Sequence, residues 1–231
     1  MRNFNNLREI IENSAKKYAN NIAFRVKKKD ENKNVYYDDI NYLRLKNEIE
    51  FLGRYLINNN LAGRRIAVIG KNSYEWMLVY LSVVSTGGVI VPLDRGLMEF
   101  EINEQLSRSG AEAIFYSDAF KEVMSDKENI FKICMDDQEF NELLKLGAQY
   151  DNKKEYDEIE IDNDKMSALL FTSGTTSQSK AVMLSQRNIA VNVSALLEWE
   201  KFYETDVNMA FLPLHHTFGI TSVLLFLSAG M

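Results

Sequence analysis

Residues 169–180 read Leu-Leu-Phe-Thr-Ser-Gly-Thr-Thr-Ser-Gln-Ser-Lys, and Ala181-Val182-Met183-Leu184 follow. An apolar run stops, six hydroxyl residues, a glycine and a lysine intervene, and an apolar run resumes. That pattern predicts a buried strand, a small-residue loop and a second strand. Such a loop gathers backbone N–H groups, hydroxyl donors and one point positive charge, an inventory suited to polyphosphate oxygens. Composition alone fits a solvated Ser/Thr turn equally well. Two sharper alternatives fail. Ser179 precedes Lys180 and Ala181 follows it, so the G-x-x-x-x-G-K-[ST] pattern is not met. No G-x-S-x-G surrounds Ser173, so it is not read as a nucleophile.

A second cluster is Leu212-Pro213-Leu214-His215-His216-Thr217-Phe218-Gly219, which holds both histidines of the chain. An adjacent pair reads most simply as one packed and one solvated imidazole. No Cys/His spacing exists to complete a metal site, so none is expected within this chain.

The elements that must position these residues follow an alternating pattern. Leu7, Ile10, Ile11, Ala15 and Tyr18 recur at helical spacing. Ala23 to Val26 and Val35 to Tyr37 read as a strand pair. Asp38 or Asp39 then caps a helix with an apolar face of Leu43, Ile49, Leu52 and Leu56. From Gly63 onward, short apolar runs at 65–69, 89–92, 113–116 and 130–135 are separated by helical periods. Trp76, Met77, Tyr80, Val83 and Val84 form one buried stripe, opened by a cap at Asn72 or Ser73. Further helices are expected over 99–109 and 139–146. This is an α/β arrangement, parallel sheets covered by helices on both faces. Residues 150–165 read as a solvated connection. A helix through Ile189, Val193, Leu196, Leu197 and Trp199 follows the loop, then a strand over 208–212 and an apolar segment to Met231.

Bulk properties exclude several classes. The 231 residues carry a net charge of −6, against a general nucleic-acid surface. The one cysteine, Cys134, rules out an internal disulfide framework and reads as a buried thiol in a reducing compartment. The N-terminus lacks a signal-peptide core, and the longest apolar run, 218–229, falls short of the ~20 residues of a transmembrane span. A cytoplasmic protein is expected, with peripheral lipid contact left open. Oligomeric state is not readable.

The loop residues resemble the signature of the adenylate-forming (AMP-binding) superfamily, T-S-G-T-T-x-x-x-K. Thr172, Ser173, Gly174, Thr175, Thr176 and Lys180 fall on its positions. Ser177, Ser179 and Ala181 stand where glycine, proline and glycine are frequent, and a Cβ at Ser177 restricts positive φ. Three further segments resemble family elements in family order. They are Asn72-Ser73-Tyr74-Glu75-Trp76, Thr86 to Asp94 and, more loosely, Val35 to Ile40. His216 falls on the histidine of a P-x-x-H motif, where peptide-synthetase adenylation domains typically carry Phe-Asp.

The resemblance therefore implies the N-terminal part of a CoA ligase, most similar in wording to bacterial long-chain fatty-acid–CoA ligases. It implies ATP, Mg²⁺ and CoA as reactants with a carboxylic acid, the loop holding the β- and γ-phosphates. His216 would position the carboxylate and thiol, and His215 and Phe218 would be acyl-pocket candidates. Aryl-CoA or acyl-carrier-protein ligases, and a non-catalytic ATP-binding or interaction module of the same fold, are the alternatives. It further implies a first α/β subdomain over about 64–205, with 1–58 and 206–231 belonging to a second. Family members are about twice as long. The Y-G-x-T-E segment, the ribose-binding aspartate and the C-terminal domain with its lysine are not in this sequence. The expectation is a fragment that does not complete the reaction alone.

Overall fold

The computed structural model describes residues 4–30, 32–136, 138–172 and 179–231. In chain order the elements begin with helix α1 (Leu7–Tyr18), strands β1 (Ile22–Lys29) and β2 (Val35–Asn41), and helix α2 (Tyr42–Asn58). Next come β3 (Arg65–Ile69), α3 (Tyr74–Ser85), β4 (Val89–Leu93), α4 (Glu99–Ser109) and β5 (Ala113–Tyr116). Then follow α5 (Lys121–Ser125), β6 (Phe131–Cys134), α6 (Gln138–Gln149) and α7 (Lys153–Asp157). The chain closes with β7 (Met166–Thr172), β8 (Lys180–Ser185), α8 (Gln186–Trp199) and α9 (Thr217–Ala229).

The main sheet has the order β6-β5-β3-β4-β7-β8, parallel except for the antiparallel edge β8. Alternate residues of each inner strand serve opposite layers. Ile66 and Val68 of β3 join the apolar cluster containing α3, whereas Ala67 and Ile69 join the cluster containing α4. A strand buried on both faces must be apolar throughout, which is why 65–69 reads as a run rather than an alternation. The first cluster also takes in α1, α2, α8 and α9. Strands β1 and β2 form a separate antiparallel pair.

Five expectations need correction. Asn41, not Asp38 or Asp39, caps α2, accepting from the Arg44 N–H at 2.8 Å. Both aspartates are still in β2, where Arg44 and Lys28 hold Asp38 and Arg25 holds Asp39. Leu43 is exposed and Leu45 takes its place in the core. In α8 the buried face is Ile189, Ala190 and Val193, while Trp199 is 88% exposed. Residues 150–165 contain α7, whose buried Tyr156 lies under the Arg8 guanidinium, 4.4 Å from the ring centroid. A lone aromatic in a charged stretch leaves no period to read. Finally, 208–212 pairs with no strand among the described residues and stays exposed apart from a half-buried Leu212. Extended apolar sequence is necessary for a strand, but only a neighbour completes it.

Helices α2 and α6 approach closely at Gly147, where an added Cβ would collide with the backbone carbonyl of Phe51. Alanine normally favours a helix over glycine by about 1 kcal/mol. Backbone cannot yield as a flexible side chain can, so overpacking wins here. Gly147→Ala is expected to destabilise the chain by about 1–3 kcal/mol. Urea denaturation followed by circular dichroism measures this.

Candidate active site

Helices α3 and α4 leave adjacent parallel strands for opposite faces of the sheet, because β3 feeds the α3 layer and β4 the α4 layer. That divergence opens a crevice at the carboxyl ends of β3 and β4. Open α/β sheets bind ligands at such a switch point. Lys71 and Asn72 follow β3, Asp94 follows β4, and Thr172 ends β7, so all four lie along one edge of the sheet.

The histidine segment is tied into this crevice by one side chain. Asn72 Nδ2 donates to the carbonyls of Ala210 (3.0 Å) and Leu212 (2.7 Å), and its Oδ1 accepts from the Leu214 N–H (3.2 Å). Ser73, next to it, caps α3. The segment then turns into α9 through a His216 N–H to Pro213 carbonyl bond of 3.1 Å. Gly219 makes that turn feasible: a Cβ there would strike the Pro213 carbonyl oxygen.

His215 and His216 stack with ring centroids 4.4 Å apart. The His215 side chain is 15% exposed, and its Nε2 lies 3.5 Å from Asp94 Oδ2 without a formed hydrogen bond. Burial holds its pKa below the ordinary 6.5; His216 and Arg95 push the same way and Asp94 opposes them. His215 is thus a neutral imidazole with an unsatisfied polar nitrogen facing a carboxylate. His216 is exposed at the N-cap of α9 and makes no side-chain capping bond. Phe218 is 70% exposed. A cleft of about 450 Å³ lies on the other side of the Asn72 tether, with Phe24, Val26, Met77, Leu214 and Val223 in its wall. Neither His215 nor Phe218 lines it.

At the other end of the same edge, Thr172 and Lys180 are register partners across β7 and β8, and the Thr172 hydroxyl reaches the Lys180 carbonyl at 3.5 Å. Both side chains are exposed. Ser173, Gly174, Thr175 and Thr176 lie outside the described residues. The structure therefore brings together the two ends of the loop, and separately the histidine pair. No hydrogen bond, ion pair or ring contact joins these two groups among the described residues. Nor do those residues contain a group of three or more His, Cys, Asp or Glu able to hold a metal.

A model of the AMP-binding enzyme family matches residues 11–231. The chain belongs to this family. Among its curated relatives are a CoA ligase of Gibberella moniliformis and fatty acyl-CoA synthetase B of Dictyostelium discoideum. The first is 28% identical over 176 residues, covering 73% of this chain and 28% of the relative. The second is 26% identical over 227 residues, covering 88% and 33%. A 4-coumarate–CoA ligase of Petroselinum crispum is 28% identical over 190 residues, covering 77% and 35%. This AMP-binding chain thus spans about a third of the length of the curated relatives it matches.

Solved structures share its fold. VinN superposes with a TM-score of 0.80 at 19% identity, covering all of this chain and 59% of VinN. The inhibitor-bound N-terminal domain of FACL13 from Mycobacterium tuberculosis gives 0.78 at 18%, covering 97% and 55%. The mostly parallel sheet with helices on both faces is the adenylate-forming architecture, of which this chain covers more than half. No helix among the described residues is long and apolar enough to cross a membrane.

Sequence reasoning missed three positioning residues: Asn72, Asp94 and Gly219. Asn72 offered a signal, since an Asn-Ser pair after a strand supplies one cap and leaves the other amide to be used elsewhere. Contact between Asp94 and His215, over a hundred positions apart, has no local signature.

Two outcomes follow for this site. Asn72→Ala leaves the part-buried Leu214 N–H without its partner, which is expected to cost about 1–3 kcal/mol. Faster hydrogen exchange at Leu214, measured by NMR, is the direct readout. The His215 pKa is lower folded than unfolded, so its contribution to stability is complete above pH 6.5 and declines as pH falls through the folded value. NMR titration should find the His215 pKa below 6.5, and lower still in Asp94→Asn, which removes the one opposing charge.

Proposed function

We propose that this chain supplies the phosphate loop and part of the acyl site of an AMP-forming acid–thiol ligase acting on long-chain fatty acids. In the first step a carboxylate oxygen bonds to the α-phosphorus of ATP, the bond from that phosphorus to the β-phosphate bridging oxygen breaks, and pyrophosphate leaves. In the second, the CoA sulfur attacks the acyl carbon, a thioester forms and AMP is expelled. Phosphoryl displacement asks little covalent chemistry of a protein; positioning and charge stabilisation carry it.

Thr172, Ser173, Gly174, Thr175 and Thr176 would present donors to the β- and γ-phosphates, with Lys180 as the cation. The observation that carries this reading is the register pairing of Thr172 with Lys180 at the carboxyl edge of the sheet. A hairpin in that register returns the lysine to the start of its own loop. His216 would orient the carboxylate and the incoming thiol from the neighbouring crevice, with His215 and Phe218 beside the acyl group. Mg²⁺ enters as part of the nucleotide substrate; the described residues include no ligand set of their own, and no step is routed through a resident metal.

The division into a subdomain over about 64–205 and a second built from 1–58 and 206–231 belongs to the same proposal. So do a cytoplasmic location and the absence of a nucleic-acid partner. A second reading, an aryl acid as substrate, is favoured by the similarity to 4-coumarate–CoA ligases. The acyl-carrier-protein ligase and the non-catalytic module of the same fold are decided by the same measurements.

Calorimetric titration with MgATP tests the phosphate site, and Lys180→Ala is expected to weaken binding at least about tenfold, as loss of a charge-assisted contact does. Equal affinity in the two proteins would remove the assignment. Thermal shift with palmitate and with 4-coumarate, each with MgATP present, separates the acyl classes. Stabilisation by palmitate alone supports the fatty-acid reading, and by 4-coumarate alone the aryl one.

A further inference from the structure

The last turn of α4 carries an arginine whose contacts are not those of an ordinary surface charge. Arg108 Nη2 donates to the Ser179 carbonyl at 2.7 Å and Nη1 to the Ser179 hydroxyl at 3.2 Å. The same Nη1 donates to Glu104 Oε1 at 3.0 Å, one helical turn back, which fixes the side chain against its own helix. The guanidinium carbon lies 5.3 Å from the ring centroid of Phe171. Phe171 immediately precedes Thr172, and Ser179 immediately precedes Lys180. A single planar group therefore touches both shoulders of the hydroxyl-rich loop, from a helix 71 positions away in sequence.

Stability does not explain this arrangement. The Arg108 side chain is 34% exposed, and ion pairs at such sites contribute little once side-chain ordering is counted. Geometry explains it better. A guanidinium is a rigid fork that fixes direction as well as distance, which an ammonium on a flexible stem does not. Two bonds to one residue set the orientation of the Ser179 peptide. That peptide leads into Lys180, so its orientation fixes where the lysine leaves the hairpin.

We infer that Arg108 is a positioning residue for the phosphate loop, setting the direction of Lys180 through the Ser179 peptide. This rests on the reading of the loop as a phosphate site. It adds a residue outside the loop on which nucleotide affinity depends. Glu104 acts one step further back, by holding the fork in place.

The test is calorimetric titration of the wild-type chain, Arg108→Gln, Arg108→Lys and Lys180→Ala with MgATP and with magnesium pyrophosphate. Melting temperature and hydrogen exchange at Lys180 are measured alongside. Arg108→Gln is expected to weaken both ligands by about tenfold, the scale of one lost charge-assisted contact. Its melting temperature should stay within ~2 °C of wild type, since an exposed pair contributes little, while exchange at Lys180 accelerates. Arg108→Lys keeps the charge without the fork and is expected to fall between the two.

Undiminished affinity in Arg108→Gln, with affinity lost in Lys180→Ala, overturns the inference and leaves the phosphate site standing. No MgATP binding by wild type, or none lost in Lys180→Ala, overturns the phosphate-site reading and this inference with it. Should the glutamine variant fail to fold, the lysine variant decides. Wild-type affinity and wild-type exchange at Lys180 in that protein overturn the inference.

Discussion

Burial of β3 and β4 on both faces is the constraint from which the rest of this molecule follows. A strand flanked by solvent on one side sends its connections to the other. Strands covered on both sides need helices in both layers, and consecutive connections must diverge to supply them. Ile66 and Val68 look into one layer and Ala67 and Ile69 into the other. The crevice between the diverging connections is thus a by-product of core formation, and every residue assigned to the site sits along that edge. Chemistry is placed where the sheet cannot close its own end.

Within that crevice the positioning is done by neutral amides and small residues rather than by charge. Asn72 spends both ends of its amide on three backbone groups of the histidine segment. Gly219 allows the first turn of α9 to lie against Pro213. His215 is left buried with an unsatisfied nitrogen facing Asp94. A buried, unsatisfied imidazole costs free energy that core packing must offset. Such local costs are found where proteins hold a group ready for a ligand.

Much of the fold was legible because periodic burial leaves a periodic sequence. The runs at 65–69, 89–92 and 113–116 and the helix over 99–109 needed no tertiary information. What was not legible lacked either a period or a local partner. Tyr156 docks alone from a charged stretch, and Asp38 and Asp39 stay in their strand because Arg25, Lys28 and Arg44 hold them there. Residues 208–212 have strand composition but no neighbouring strand among the described residues. The site divides in the same way. Its chemical groups are conspicuous by type and spacing, whereas Asn72, Asp94 and Arg108 act across 71 to 142 positions and are visible only in three dimensions.

The account's central claim is that the hairpin connecting β7 and β8 receives the terminal phosphates of ATP. Backbone amide chemical-shift mapping during titration with MgATP addresses it most directly. The account predicts that the largest shifts fall on residues 172–180, with smaller ones at Arg108 and Asp94 and none along β1 and β2. Shifts centred on the cleft beside Lys71 and Phe24, with the amides of 172–180 unmoved, would contradict it.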